Sequence, residues 1–205
     1  MSAFWQIYSL VIIQIALLDH LCISAGIPSG QGQHKSPLYA ACKIKPSSGA
    51  KIFGMVLFKQ ESSNGTLSVV LKLRGFDRES AETKAVHIHQ FGDLSSGCAS
   101  TGGHYNPHNV NHPQHPGDFG NFMTKDGHIS ATLQSEATLF GEHSVIGRAV
   151  VIHQHQDDLG QGGNDSSLQN GNAGPRIGCC IIGITSVAPW IKHTTSKTSK
   201  RLREN

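Results

Sequence analysis

Beyond residue 26 the sequence has no long apolar run, no sustained helical periodicity and no internal repeat. The first absence excludes a further helix that spans a bilayer, because such a helix needs about 20 consecutive apolar residues. The second argues against a mainly helical domain. Net charge is also missing from most of the chain, since residues 27–188 carry twelve Lys or Arg and twelve Asp or Glu. A neutral central region argues against binding to nucleic acid.

The one long apolar segment lies at the amino terminus. From Ala3 to Leu18 the chain is almost wholly apolar and uncharged, and three small residues follow at 24–26. This pattern is typical of a secretory signal peptide, which we assign to residues 1–26, with a buried core helix as the competing interpretation. Residues 27–38 are rich in Gly, Pro, Ser and Gln and predict a flexible linker.

Short β signals separated by turn residues fill residues 39–188. "KIFGMVLF", "LSVVLKL", "AVHIH", "RAVVIH" and "CIIGITSV" have the length and the Val/Ile content of strands, whereas "SATLQSEATLF" fits either a strand or a helix. We therefore predict an all-β domain, an antiparallel sandwich or Greek-key barrel. Two long loops, from about Phe91 to Gly120 and from about Gln156 to Arg176, are where such a scaffold usually carries function.

The cysteines predict two disulfide bonds. Removal of the signal peptide leaves Cys42, Cys98, Cys179 and Cys180, an even number in an oxidising compartment. A bond between the two neighbours would be strained, so each of them pairs with one of the other two cysteines. The residues alone leave both such pairings open.

Two surface features fit secretion. The sequon at Asn64 lies in a Ser/Asn/Gly-rich turn and is the preferred glycosylation site, ahead of the sequon at Asn164. Residues 189–205 form a basic tail with five Lys or Arg against one Glu, which we expect to be disordered beyond Lys192. Its basic residues are either simply solvated or bind a polyanion such as heparan sulfate or heparin: Lys192, Lys197, Lys200, Arg201 and Arg203.

Histidines are crowded into one stretch of the chain. Residues 85–121 hold six of the 13 histidines. His87 and His89 lie two apart in a strand and so share a face, although exposed or hydrogen-bonded histidines would give the same pattern. His153 and His155 end another strand, and spacing alone does not choose between them. Three imidazoles and a carboxylate form a closed tetrahedral zinc set, and further imidazoles suit copper.

The chain resembles the copper/zinc superoxide dismutase family, and within it the secreted, extracellular branch. The resemblance rests on "HIHQFGDLSSGC", "HYNP", "HPQHPGDFGNF", "DDLGQGGN" and "GNAGPRIGCC", which match the family in order and spacing from about Tyr39 to Trp190. It implies a Greek-key β-barrel with two active-site loops. It also implies an enzyme that converts superoxide to dioxygen and hydrogen peroxide by redox cycling of copper, with zinc in a structural role.

The resemblance assigns roles to particular residues. It implies copper ligands at His87, His89, His104 and His153, and zinc ligands at His104, His112, His115 and Asp118. It further implies that Asp157 is the carboxylate that joins ligands of both metals, that Arg176 lies beside the copper channel, and that His104 takes up a proton when it leaves copper. The implied disulfides are Cys98 with Cys179 and Cys42 with Cys180. The remaining histidines are interpreted as solvated: His34, His108, His128, His143 and His193.

The family resemblance also implies a homo-oligomer, without deciding between dimer and tetramer. Two departures qualify it: Pro175 restricts the backbone before Arg176, and the absence of cysteine after Cys180 excludes a tail disulfide between subunits. The alternative function is a secreted metal-binding or metal-delivery protein of the same fold without turnover.

Overall fold

A computed structural model describes residues 36–47 and 49–195, so the predicted signal peptide, most of the linker and the tail beyond Thr195 lie outside the described residues. The described part is built from ten strands and two short helices, with a single 3-10 turn at Ala99–Thr101. The strands are β1 Leu38–Pro46, β2 Phe53–Gln60, β3 Leu67–Arg74, β4 Thr83–His89, β5 Ser95–Cys98, β6 Asp118–Met123, β7 His128–Ser135, β8 Ala149–His153, β9 Arg176–Ile181 and β10 Gly183–Ile184. The helices are α1 Asp165–Asn170 and α2 Val187–Thr194.

Eight of the strands form one antiparallel sheet in the order β6-β4-β8-β9-β1-β2-β3-β7, and β10 pairs with β1. The chain crosses from β3 at one side of the sheet to β4 at the other, and β6 and β7 at its two ends approach each other. The sheet is therefore a nearly closed barrel, and the all-β prediction is confirmed. The ambiguous segment "SATLQSEATLF" contributes six of the eight residues of β7 and then a loop.

Alternation along the strands fills the barrel interior. On β3, Leu67, Val69, Leu71 and Leu73 are at most 1% exposed and belong to one buried cluster. These side chains point to the same face because successive residues of a strand point to opposite faces. The hydrophobic effect acting on this face stabilises the barrel, since each such side chain contributes on the order of 1.5–3 kcal/mol when fully buried.

Strands β4 and β8 are buried on both faces. Val86 and Ile88 of β4 lie in the barrel interior, while His87 and His89 point outward and are nevertheless buried. The first long loop contacts β4 directly, since the Gly117 carbonyl accepts the Ile88 N–H. The register of the β4–β6 pair shifts between Val86 and His87, which marks a β-bulge. Such bulges are frequent beside functional sites, where they change the direction of a side chain.

Two disulfides join the loops and β1 to strand β9. Cys98 is bonded to Cys179 and Cys42 to Cys180, the pairs that the family resemblance implies. Because Cys179 and Cys180 are neighbours on β9, their side chains point to opposite faces of the sheet. The first bond ties the loop after β4 to the outer face of the barrel, and the second lies in the interior.

Helix α2 runs across the expected boundary between the domain and the tail at residues 188 and 189. The ring of Trp190 lies 6.3 Å from that of Tyr39 on β1, a contact that anchors the helix. The chain is therefore helical as far as Thr194, two residues beyond Lys192, where disorder was expected to begin. No helix among the described residues is long and apolar enough to cross a membrane.

Candidate metal centre

Seven side chains from the first long loop and from strands β4, β6 and β8 converge at the outer face of the barrel. They form two groups whose candidate ligand atoms lie within 4.8 Å of one another, and His104 belongs to both. The four-histidine group contains His87, His89, His104 and His153, and the mixed group contains His104, His112, His115 and Asp118.

Backbone carbonyls fix the orientation of two rings in the four-histidine group. His89 Nδ1 lies 2.9 Å from the Gly102 carbonyl oxygen, and His153 Nδ1 lies 3.0 Å from that of Gly174. A carbonyl can only accept a hydrogen bond, so each Nδ1 carries the proton and donates it. The Nε2 atom of each neutral ring is then left with an exposed lone pair.

These two lone pairs face each other. The Nε2 atoms of His89 and His153 are only 3.2 Å apart, yet neither can donate to the other while both rings are neutral. Burial, helped by the positive charges of nearby histidines and Arg176, lowers the pKa of His89 to about 2 and that of His153 to about 3. Both rings are therefore neutral at physiological pH, and a cation between them would relieve the repulsion of their lone pairs.

The other two members of the group also present bare nitrogens. His87 Nδ1 and His104 Nε2 are buried and have no hydrogen-bond partner among the described residues. Burial lowers the pKa of His104 to about 4 despite a hydrogen bond to Asp118, so this ring too is neutral. Four imidazole nitrogens thus converge without protons, which is the requirement for binding a transition metal.

The mixed group likewise contains buried ring nitrogens that have no hydrogen-bond partner among the described residues. The Nδ1 atoms of His112 and His115 lie 2.8 and 3.0 Å from Asp118 Oδ2, but neither is aligned to donate a hydrogen bond. The other nitrogen of His115 faces the Val110 carbonyl at 3.1 Å, which places its proton there. His104 Nδ1 lies 2.9 Å from the second oxygen of Asp118, so this ring points one nitrogen into each group.

Asp157 connects the two groups from outside. Its carboxylate oxygens lie 2.8 Å from the Nε2 atoms of His87 and His112, whose Nδ1 atoms face the groups. These three residues also meet the spacing of a third metal cluster. The hydrogen bonds favour a different interpretation, because Asp157 accepts the ring protons and so orients both imidazoles, as carboxylates beside metal ligands commonly do.

Electrostatics favour a cation in the mixed group. Although burial works against ionisation, hydrogen bonds from histidines hold the pKa of Asp118 and of Asp157 well below the usual range of a carboxyl group. Burial also opposes protonation of His112, but the nearby carboxylates of Asp118 and Asp157 outweigh it and raise the pKa of that ring to about 9, so an ion bound at its Nδ1 would take the place of a proton. Two buried carboxylates therefore attract positive charge to this place, and a divalent ion can supply it.

The donor atoms fit copper and zinc. Three imidazoles and one carboxylate make a closed tetrahedral zinc set, and four imidazole nitrogens suit copper. The unpartnered buried nitrogens carry this assignment, since a buried polar atom without a partner is costly unless an ion satisfies it.

Arg176 is placed beside the four-histidine group by the strand ladder, in which it pairs with His153. Its guanidinium donates to the carbonyls of Cys98 (2.8 Å) and Gly102 (2.7 Å) and to the Thr101 hydroxyl (3.0 Å). Arginine remains cationic at neutral pH. The result is a fixed positive charge that is half-buried near these rings.

The structure separates the sequence-predicted residues from the other histidines. His155, the alternative to His153, is exposed, as are His108, His128 and His143, whereas His34 lies outside the described residues. His193 is half-buried on α2, away from both groups.

Several supporting residues were not predicted. The carbonyls of Gly102, Gly174 and Val110 orient ligand rings, and a backbone carbonyl leaves no signature in residue type. Asn121 holds Asp157 through two hydrogen bonds of 2.8 Å to its backbone. Gly171 is also required, because a Cβ there would lie 1.9 Å from Asp157 Oδ1.

Comparison with known proteins agrees with this geometry. Residues 52–182 match the family described as copper/zinc superoxide dismutase (SODC). The extracellular superoxide dismutase [Cu-Zn] of Oryctolagus cuniculus is 45% identical over 186 residues, covering 86% of this chain and 76% of the relative. That of Homo sapiens is 46% identical over 177 residues (82% and 74%), and the superoxide dismutase [Cu-Zn] of Cordyceps militaris is 43% identical over 155 residues (72% and 98%). The chain therefore belongs to the copper/zinc superoxide dismutase family.

Proposed function

We propose that this chain is a secreted superoxide dismutase that uses copper for the reaction and zinc for structure. One superoxide gives up an electron and leaves as dioxygen, and a second superoxide accepts that electron with two protons and leaves as hydrogen peroxide. The observation that carries the proposal is the set of bare, buried imidazole nitrogens that converge on two points sharing His104.

We assign the four-histidine group to copper and the mixed group to zinc. The copper ligands are then His87 Nδ1 and the Nε2 atoms of His89, His104 and His153. The zinc ligands are the Nδ1 atoms of His104, His112 and His115 with a carboxylate oxygen of Asp118. The assignment is supported by the hydrogen bonds that protonate the opposite nitrogen of every ring except His104.

Copper, when bound, supplies a centre that alternately accepts and returns one electron. Arg176 attracts the anionic substrate, because its charge is held beside these ligands by hydrogen bonds to loop carbonyls. His104 Nε2 is the atom at which a proton can be held for the reduced product. Asp157 keeps His87 and His112 oriented throughout.

The decisive experiment measures metal content, superoxide consumption and cupric paramagnetic resonance on the purified protein supplied with both ions. We expect one copper and one zinc per chain, a nitrogen-rich cupric signal and rapid superoxide consumption. A protein that binds both ions but consumes no superoxide would support the alternative, metal delivery without turnover, which no observation on the described residues favours. A protein without the nitrogen-rich signal would contradict the ligand assignment.

We also propose that the protein is secreted after removal of residues 1–26 and is glycosylated at Asn64. Two disulfides suit an oxidising compartment, and several relatives are named as extracellular enzymes. Asn64 is exposed in the turn between β2 and β3, whereas the Asn164 side chain caps α1 by accepting from the Ser167 N–H. Loss of a glycan-dependent mass difference in Asn64→Gln, but not in Asn164→Gln, would establish the glycosylation site.

A basic surface supports binding of heparan sulfate or heparin. Burial lowers the pKa of His193, and the nearby charges of Lys192, Lys72 and Arg74 lower it further, so these cations cluster where α2 leads into the tail. The other proposed contacts lie outside the described residues: Lys197, Lys200, Arg201 and Arg203. Truncation after Thr195 should lower the salt concentration that elutes the protein from heparin, and unchanged elution would exclude the tail.

We propose further that the protein is a homo-oligomer. Phe91 and Ile181 are 50% and 44% exposed, and Gly92, next to Phe91, lies against the Ile181 side chain, since a Cβ there would be 3.2 Å from Ile181 Cγ2. An apolar patch of neighbouring side chains is typical of an association surface. Sedimentation of wild type and of Ile181→Glu would test this, since an oligomer that uses this patch should dissociate in the variant.

A further inference from the structure

Two exposed histidines outside the metal centre lie side by side. His108 belongs to the loop between β5 and β6, and His143 to the loop between β7 and β8. Their ring centroids are 5.3 Å apart and their planes are inclined by 77°. Two loops that are distant in sequence therefore place one imidazole each at the same point of the surface.

This geometry closely matches that of a ligand pair in the mixed group. His104 and His112 have a centroid separation of 5.3 Å and an interplanar angle of 74°. The separation is also the one expected when two imidazoles bind a single tetrahedral ion, because zinc–nitrogen distances of about 2.0–2.1 Å place the centroids about 5 Å apart. The separation of the His108 and His143 rings is therefore compatible with two ligands of one zinc ion.

The ring nitrogens of both residues are available to an ion. No backbone or side-chain group among residues 36–47 and 49–195 forms a hydrogen bond with either ring. By contrast, the exposed His128 already has Nδ1 at 2.6 Å from the Asp126 carbonyl. The ring nitrogens of His108 and His143 are therefore free of hydrogen bonds to the described residues, and both exposed rings can turn toward a shared ion.

The surroundings provide room for the remaining ligands. His143 and Glu142 line a surface depression of about 480 Å³, and His108 lines a second one of about 510 Å³. Water molecules have access from both depressions, and the first carries both the negative charge of Glu142 and the positive charge of Arg148. A metal site that keeps two or more water ligands is compatible with this exposed position.

We propose that His108 and His143 bind a third, exchangeable divalent transition-metal ion at the surface, with zinc as the representative ion. Imidazole is a ligand that zinc and copper both prefer, whereas calcium and magnesium prefer oxygen. The ion would link the loop that carries the zinc ligands to the loop between β7 and β8. The site is independent of the ligand assignment in the metal centre, because neither histidine belongs to it.

Zinc titration of the protein already loaded with copper and zinc tests this proposal. At about pH 7.5, calorimetry with zinc chloride should detect one additional ion per chain in wild type. His108→Gln and His143→Gln should each weaken this binding by roughly tenfold or more, because losing a ligand costs at least as much as losing a residue that merely orients one. His128→Gln is the matched control, as it removes an exposed histidine without a neighbouring imidazole.

Ring resonances give a second readout that does not depend on the heat of binding. Zinc added to the loaded wild-type protein should shift or broaden the His108 and His143 ring protons and leave those of His128 unchanged. The proposal is overturned if loaded wild type binds no additional zinc, if the control loses the binding to the same extent, or if either single variant of the pair retains it. None of these results would change the metal content of the main centre, so they are distinguishable from a failure of the proposed enzymatic function.

Discussion

The two ligand groups share His104 but are built on different parts of the fold. His87, His89 and His153 lie on β4 and β8, which are hydrogen-bonded neighbours in the barrel. His112 and His115 lie in the loop before β6, where position depends on individual hydrogen bonds such as that from the His112 N–H to the Leu168 carbonyl. The strand ladder thus positions most of the ligands that we propose for copper, whereas loop contacts position His112 and His115, two of the four that we propose for zinc.

The two ligand groups are therefore positioned by different interactions, one mainly by strand pairing and the other mainly by hydrogen bonds within the loop. The ladder forms together with the barrel core, so the strand-borne rings are placed by the same interactions that fold the domain. The segment that carries His112 and His115 is not part of this ladder and is held by the Asn106 side chain, which bonds both backbone groups of Val110, and by Asp157. We therefore expect perturbations of the loop to release zinc before copper.

The largest effect should follow loss of the ligand that both groups share. His104→Gln removes one nitrogen from each group and the atom proposed to hold the proton. We expect superoxide consumption to fall at least about a hundredfold, because even residues that only orient ligands change metal affinity or activity by about 10–100-fold. Metal analysis and cupric paramagnetic resonance should show that both sites change.

His155→Gln provides the control for that experiment. His155 is exposed and lies two residues beyond the end of β8, so its loss should leave metal content and activity unchanged. An unchanged cupric signal in His104→Gln would contradict a shared ligand.

Asp157→Asn tests the connection between the two groups. An amide has one oxygen, so it can accept from only one of His87 and His112 and presents N–H groups to the other. We expect roughly 10–100-fold weaker zinc binding and a smaller loss of copper affinity, measured by competition with chelators. Equal losses of zinc and copper affinity would contradict the expectation that ligands on the strands are held more firmly than ligands in the loop.

Gly171→Ala is a smaller test confined to the second loop. Gly171 has a φ of +65°, and an added Cβ would lie 1.9 Å from Asp157 Oδ1 and 2.6 Å from His112 Nε2. We expect zinc affinity to fall by about tenfold as these two groups are displaced. Gly163→Ala is the matched control: its φ is +72° but no atom lies within 4 Å of the added Cβ, so it carries the same backbone strain without the displacement.

Arg176→Ala should slow turnover by about tenfold at low salt while leaving both metals bound, because charges that attract a substrate raise its association rate by about 10-fold or more. Arg176→Lys separates charge from hydrogen bonding: it keeps the charge but cannot reproduce the bonds to Cys98 and Gly102. The ionic-strength dependence of turnover should flatten in the alanine variant and persist in the lysine variant. A full loss of salt dependence in both variants would show that substrate attraction requires the position of the guanidinium, and not merely a positive charge at residue 176.

Removal of both metals by a chelator should change the structure only locally, in the loop that carries His112 and His115. Amide hydrogen exchange should accelerate within residues 104–118 and change little in β4 and β8, whose amides are held by the ladder. Uniform acceleration across strands and loop would mean that the ions, and not the barrel core, position the strand-borne histidines.

Much of the fold followed from local patterns. The segments "LSVVLKL" and "AVHIH", predicted to be strands, lie in β3 and β4, because alternating apolar residues must bury one face. The strand predicted at "CIIGITSV" has different bounds in the structure, because the main strand β9 begins earlier, at Arg176. The glycines and proline before it read as loop, and only pairing with β8 extends the strand to that residue.

The sequence by itself determined the chemistry of the site, because the types and order of the ligand residues and the family motifs are written along the chain. Strand periodicity also determined that His87 and His89 share a face. Only the tertiary structure decided which nitrogen of a ring is bare, since this depends on the carbonyls of Gly102, Gly174 and Val110 and on the Asp157 carboxylate, whose positions are set by the folded loops. It likewise selected His153 over His155 geometrically and brought His108 to His143, because contacts between residues far apart in the chain arise only when the barrel closes.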